Sequence, residues 1–105
     1  MLEINDLKKF QELLKSEVRP VMVDFYAPWC GPCKTISPFL EELSETHPDV
    51  FFVKVNIDEA EDIANEYSVA AMPTFMLFKK GNVVMINTGA NKPMITMMVT
   101  KVKSL

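Results

Sequence analysis
The six residues Val21-Met22-Val23-Asp24-Phe25-Tyr26 constrain the fold more than any other stretch of the chain. The run is short and nearly all apolar. A strand with one wet face would alternate apolar and polar residues, so this one reads as covered on both faces. A strand covered twice needs helices on each side of its sheet, and the flanking sequence supplies them.

Residues near 6–16 carry Leu7, Phe10, Leu13 and Leu14 on one helical face, with Asn5 or Asp6 as cap, and Arg19-Pro20 ends the segment. From about 33 to 46, Ile36, Phe39, Leu40 and Leu43 keep helical spacing. Pro38 lies inside that helix and predicts a kink, since its ring removes the bond to the Lys34 carbonyl. Phe51 to Val55 is a second β-rich run. Asp58 is expected to open a helix whose acidic first turn is Glu59 to Asp62, with Ile63, Ala64 and Tyr67 inward. Thr74 to Phe78 and Val83 to Asn87 flank a Lys-Gly-Asn turn and predict an antiparallel hairpin. Pro93 opens a last helix with Ile95, Met98, Val99 and Val102 on one face. The alternation implies an α/β domain with a mixed sheet.

The chain has 105 residues, which suits one domain spanning 1–105. Apolar residues make up 49%, enough for a core without staples. Eleven basic against 14 acidic residues give a net charge of -3 and no basic block longer than Lys8-Lys9 or Lys79-Lys80, which argues against a nucleic-acid or anionic-membrane role. No segment reaches the roughly 20 apolar residues of a membrane span. The first residues show no secretory signal and are too acidic for a transit peptide, so a cytoplasmic location is expected.

That compartment makes the two cysteines informative, because structural disulfides are rare there. Cys30 and Cys33 are three positions apart, and so short a loop yields little stability. They sit where the buried strand gives way to a helix. The first thiol would lie at the helix N-terminus, whose partial charge and free N–H groups favour a thiolate. The second lies one turn in, close enough to bridge. A zinc site would need about four ligands, and only His47 and carboxylates remain. Haem attachment would want a histidine at position 34, which is lysine. By these residues alone the pair means redox chemistry or, less well, metal.

The full motif, Phe25-Tyr26-Ala27-Pro28-Trp29-Cys30-Gly31-Pro32-Cys33-Lys34, closely resembles the active site of the thioredoxin family. Asp24, Pro38, Met72-Pro73-Thr74-Phe75 and Gly89-Ala90 fall in register with it. The resemblance covers essentially the whole chain and implies the thioredoxin fold, a central mixed sheet of about five strands flanked by about four helices. It also implies a mechanism in which Cys30 attacks a substrate disulfide and Cys33 resolves the mixed disulfide. No bound cofactor is implied, only the redox-active Cys30–Cys33 pair. Electrons would come from NADPH indirectly, through a flavoprotein thioredoxin reductase, and clients would be disulfide-containing proteins such as peroxiredoxins. A monomer is expected. Gly-Pro between the cysteines favours reduction over isomerisation. The rival reading is an interaction module that uses the same face without redox turnover.

Other residues carry two readings each. Asp24 is either an exposed strand position or a desolvated acid of raised pKa, and the resemblance makes it the proton acceptor for Cys33. Lys54 is either a snorkelling surface lysine or, by resemblance, the cation that moderates Asp24. Pro73 either marks an edge or, by resemblance, forms a cis peptide that frees the Met72 backbone for substrate and crowds metals from the thiols. Trp29 is either core or, with Gly31, Pro32, Met72, Gly89 and Ala90, part of an apolar docking surface. His47 reads as a helix-end or surface residue. The methionines at 94, 97 and 98 read as filler. Tyr26 stands where many thioredoxins have tryptophan, which is expected to change packing but not chemistry.

Overall fold
The computed structural model describes residues 1–105. The chain runs β1 (Leu2–Glu3), α1 (Leu7–Ser16), β2 (Val21–Tyr26), α2 (Gly31–Thr46), β3 (Phe51–Asn56), α3 (Glu61–Glu66), β4 (Thr74–Lys79), β5 (Asn82–Thr88) and α4 (Lys92–Lys101), then a short 3-10 turn, Val102–Ser104. The strands form one mixed sheet in the order β1-β3-β2-β4-β5. β1, β3 and β2 are parallel, while β4 pairs antiparallel with both β2 and β5.

β2 is central, and its side chains divide two cores. Val21, Val23 and Phe25 face α1 and α3, packing with Phe10, Leu14, Ile63, Val53, Val55, Met76 and Phe78. Met22 faces α2 and α4, packing with Ile36, Leu40, Leu43, Phe52, Phe75, Leu77, Ile95 and Met98. Phe10 is fully buried and meets Phe25, Tyr67 and Phe78 edge-on, with ring centroids 6.3, 5.5 and 6.0 Å away. The strand covered on both faces is therefore as its sequence requires.

Local chemistry sets the element ends. Of the two candidate caps for α1, Asp6 serves: its carboxylate accepts from the Lys9 N–H at 2.9 Å. Asn5 instead ties β1 to β3, its Oδ1 accepting from the Asn56 N–H at 2.9 Å. α2 begins two residues before its apolar periodicity does, because Cys30 itself is the N-cap. The helix continues through Pro38. α4 is capped by Asn91, whose side chain accepts from the Met94 N–H at 3.0 Å. Along it Met98 is buried, and Met94 and Met97 are exposed. His47 ends α2, and its ring lies 3.0 Å from the Lys103 ammonium.

One expectation needs correction, and one element carries no sequence signal. α3 starts at Glu61, not Asp58, because Asn56 claims the preceding backbone. Its side chain accepts from the Asp58 N–H and its carbonyl from the Glu59 N–H, both at 3.0 Å, which makes a turn. The two-residue strand β1 has no periodicity that could mark it. Its pairing with β3 puts Leu2 beside Val53 and Glu3 beside Lys54.

The hairpin joins β4 to β5 through Lys80 and Gly81, both at positive φ, 53° and 83°. Positive φ at both turn positions matches the right-handed twist of the strands, and glycine adopts it without strain. An added Cβ at Gly81 would meet nothing closer than 3.9 Å, so the conformation alone is at issue. Gly81→Ala is expected to cost about 1–2 kcal/mol. A lower urea midpoint with an unchanged dependence of stability on urea concentration would show this.

Candidate active site
The sheet assembles the site at the C-terminal end of β2. Because β4 runs antiparallel to β2, Phe25 lies opposite Thr74, and the residue before Thr74 is Pro73. Thr74 in turn lies opposite Thr88 of β5, which brings Gly89 to the same edge. The Gly89 N–H donates to the Pro73 carbonyl at 2.8 Å. β2 leads directly into the loop that carries the cysteines. Three distant pieces of sequence thus converge through strand register alone.

Cys30 and Cys33 form a disulfide, with Cα atoms 5.3 Å apart. Cys30 caps α2: its Sγ accepts from the Cys33 N–H at 3.2 Å. On reduction this same N–H and the helix N-terminus favour a thiolate at Cys30. Both cysteines are buried, in a small cluster with Ala27 against which Tyr26, Ile57 and Met72 pack. Around them Trp29, Gly31, Pro32 and Ala90 are exposed, while Met72 and Gly89 are half-buried. Trp29 is 66% exposed, which excludes the core reading, and its indole N–H reaches the Asp58 carboxylate at 3.4 Å. The Met72–Pro73 peptide bond is cis and Pro73 is buried. Met72 makes no backbone–backbone hydrogen bond, so its N–H and C=O are free to pair.

Asp24 is on the α2 side of β2 and only 5% exposed. Its Oδ1 has no hydrogen-bond partner. It lines a cavity of about 390 Å³ together with Tyr26, Cys33, Lys34, Ser37 and Lys54, among others. Burial pushes the carboxyl up to about 7, and the charge of Lys54 pulls against that rise. Lys54 is the direct register partner of Asp24 on β3 and is half-buried, so it sits at the cavity rim and not on free surface.

Several neighbours escape a reading of the sequence. Ser37 lies four residues after Cys33, so helical spacing alone places it on the same face as the second thiol. Lys34 also lines the cavity but carries no separate signal. The Tyr26 hydroxyl donates to Glu3 Oε1 at 2.6 Å, a bond that tryptophan at this position would lack. Glu3 gives no sequence signal, because the strand bearing it has none.

The chemistry this edge can perform is the opening and closing of one short disulfide, and the domain is a thiol–disulfide oxidoreductase. The sequence model of the thioredoxin family matches residues 2–101, and the chain belongs to that family. It is 44% identical to thioredoxin-2 of Pyricularia oryzae over 92% of its own length and 56% of that protein's. It is 48% identical to the thioredoxin of Sus scrofa, over 86% of this chain and 87% of that one. The chain therefore spans little more than half of the fungal relative but most of the pig one. Among solved structures, it superposes with a TM-score of 0.92 and 40% identity on a chain from work on thiol resolution in yeast mitochondrial 1-Cys peroxiredoxin via glutathione/thioredoxin systems, covering 96% of this chain and 94% of that one.

The raised pKa of Asp24 makes stability depend on pH with a definite sign. Below about pH 4 the carboxyl is protonated in the folded and the unfolded chain alike, and burial costs nothing extra. Between about 4 and 7 only the unfolded chain ionises, so the fold loses stability as pH rises. Above about 7 the loss is constant, on the order of 4 kcal/mol. Asn removes this penalty but leaves a buried amide to satisfy, at a cost of about 1–3 kcal/mol. Asp24→Asn is therefore expected to stabilise the oxidised protein at pH 8 by roughly 1–3 kcal/mol in urea denaturation. The gain should vanish or reverse near pH 4. Lower stability at pH 8 would refute a buried, destabilised acid.

Proposed function
We propose that this chain is a reductant of disulfides in other proteins, acting in the cytosol and re-reduced by an NADPH-dependent flavoprotein thioredoxin reductase. The observation that carries the reading is the unpartnered Asp24 carboxyl beside Cys33, with Cys30 at the helix N-terminus and cis-Pro73 at the same edge.

In the reduced protein the Cys30 thiolate attacks one sulfur of the client disulfide. A new S–S bond joins Cys30 to the client, and the client's other sulfur leaves as a thiolate that takes up a proton. Asp24, as carboxylate, accepts the proton of the Cys33 thiol directly or through water. The Cys33 thiolate then attacks Cys30 Sγ. The Cys30–client bond breaks, the client leaves fully reduced, and the Cys30–Cys33 disulfide remains. Two electrons pass to the client. An acid titrating near neutrality is suited to this transfer, since the best general base has a pKa close to working pH.

An extended client segment has a ready partner in the free Met72 backbone, with Trp29, Gly31, Pro32 and Ala90 offering apolar contact beside it. Lys54 moderates Asp24 by charge. Peroxiredoxins are proposed clients, in keeping with the superposed chain's origin in work on thiol resolution of a yeast mitochondrial 1-Cys peroxiredoxin via glutathione/thioredoxin systems.

With NADPH and a thioredoxin reductase, the protein is expected to reduce insulin disulfides in many turnovers. Absence of turnover with a competent reductase would overturn the reading. Cys33→Ser should accumulate mixed disulfides through Cys30 that dithiothreitol releases. Cys30→Ser should trap none. A single partner bound regardless of both cysteines would support an interaction module instead.

A further inference from the structure
One row across the sheet holds three charges in alternation. Glu3 on β1 is the register partner of Lys54 on β3, and Lys54 is the register partner of Asp24 on β2. The single cation thus lies between two carboxylates, one at the sheet edge and one buried under α2. Glu3 is fixed from three sides. The Tyr26 hydroxyl donates to its Oε1 at 2.6 Å and the Asn5 amide to its Oε2 at 2.9 Å. The Lys54 ammonium lies 4.0 Å from Oε1, over the Tyr26 ring at 5.7 Å from its centroid. Asp24 Oδ1, by contrast, has no partner at all.

We propose that Glu3 is a positioning residue for the buried acid: braced by Tyr26 and Asn5, it holds the Lys54 ammonium at the cavity rim and so keeps Asp24 unpaired. The inference rests on the reading of Asp24 as proton acceptor for Cys33 and extends it to a residue at the far edge of the sheet. The bracing explains why Lys54 does not close on the stronger need. A buried carboxylate gains more from a cation than an exposed one does. An unrestrained lysine stem would therefore favour Asp24, and pairing would lower the pKa of the acid and make its carboxylate a weaker base. Burial raises Glu3, but the hydrogen bonds from Tyr26 and Asn5 and the charge of Lys54 outweigh it and hold its carboxyl below the usual range. Glu3 thus remains anionic while Asp24 titrates. Tyr26 gains a role that its place in the sequence does not reveal: its ring underlies the ammonium and its hydroxyl anchors the anion.

The groups that face Asp24 are few. β3 contributes Lys54 and α2 contributes Cys33, Lys34 and Ser37, while Tyr26 is on its own strand. Its register partner on β4 is the neutral Phe75. Glu59, which shares the Asn5 amide with Glu3 at 3.0 Å, is the other carboxylate in the brace.

The test is a carbon-13 NMR titration of the Asp24 carboxyl in the oxidised full-length protein, comparing wild type with Glu3→Gln. The expected result is a midpoint lowered by roughly one pH unit, the scale of one cation brought within a few ångströms. Lys54→Met should raise the midpoint, and in that background Glu3→Gln should have no further effect. Tyr26→Phe, which keeps Glu3 but loses its anchor, should lower the midpoint by less than Glu3→Gln does. It also serves if Glu3→Gln fails to fold. An unchanged or raised midpoint in Glu3→Gln overturns the proposal. So does an equal fall in the Lys54→Met background, which would mean that Glu3 acts by its own field and not through the lysine. The pH profile of mixed-disulfide resolution, measured alongside, separates the two readings. If the carboxyl midpoint moves as expected and the profile does not, Glu3 positions Lys54 but Asp24 is not the base for Cys33.

Discussion
A buried carboxyl whose Oδ1 has no hydrogen-bond partner is the costly element around which this domain is organised. Asp24 is held in place because β2 is paired on both edges and covered on both faces, leaving the side chain only the narrow cavity beside Cys33 and Lys54 as a route to solvent. The opposing cores supply the stability that tolerates it. One seats α1 and α3 through Phe10, Leu14 and Ile63, and the other seats α2 and α4 through Ile36, Leu40, Ile95 and Met98. Burying large apolar side chains gains about 1.5–3 kcal/mol apiece. The expense of one desolvated acid is therefore offset by two or three of them.

The same strand sets the geometry of the redox edge. Its parallel pairing with β3 brings Lys54 beside the acid, and its antiparallel pairing with β4 brings cis-Pro73 beside the cysteine loop. α2 then does two things at once. Its first turn presents N–H groups to Cys30, and its inward face sets Cys33 and Ser37 over Asp24. Cys30, Cys33 and Asp24 are thus brought together by strand pairing and the helix that follows β2, not by flexible side-chain contacts. Such a scaffold favours a reaction that needs little motion beyond exchange of sulfur partners.

Much of this was legible beforehand, and for identifiable reasons. Strong periodicity marked α1, α2 and α4, and β-rich runs marked β2 to β5. The Lys-Gly-Asn sequence marked the hairpin. The start of α3 differs from the sequence expectation because acidic residues favour both a helix N-terminus and a turn, and Asn56 decides for the turn through its side chain. β1 was invisible because two residues carry no period, and its existence depends on an open edge of β3 far along the chain. With β1 went Glu3, and with Glu3 the role of Tyr26, which had seemed a matter of packing only.

The sequence by itself determined the chemistry available. Two cysteines three apart at the end of a buried strand, with an acid inside that strand, admit a redox pair and little else. It also determined the α/β class, since period and composition are local properties that a short window can express. Only the tertiary structure decided which groups meet. Whether Asp24 is paired or bare, and where Lys54 spends its charge, depends on strand order and register. Those follow from the packing of the whole sheet, a long-range outcome that no local pattern encodes.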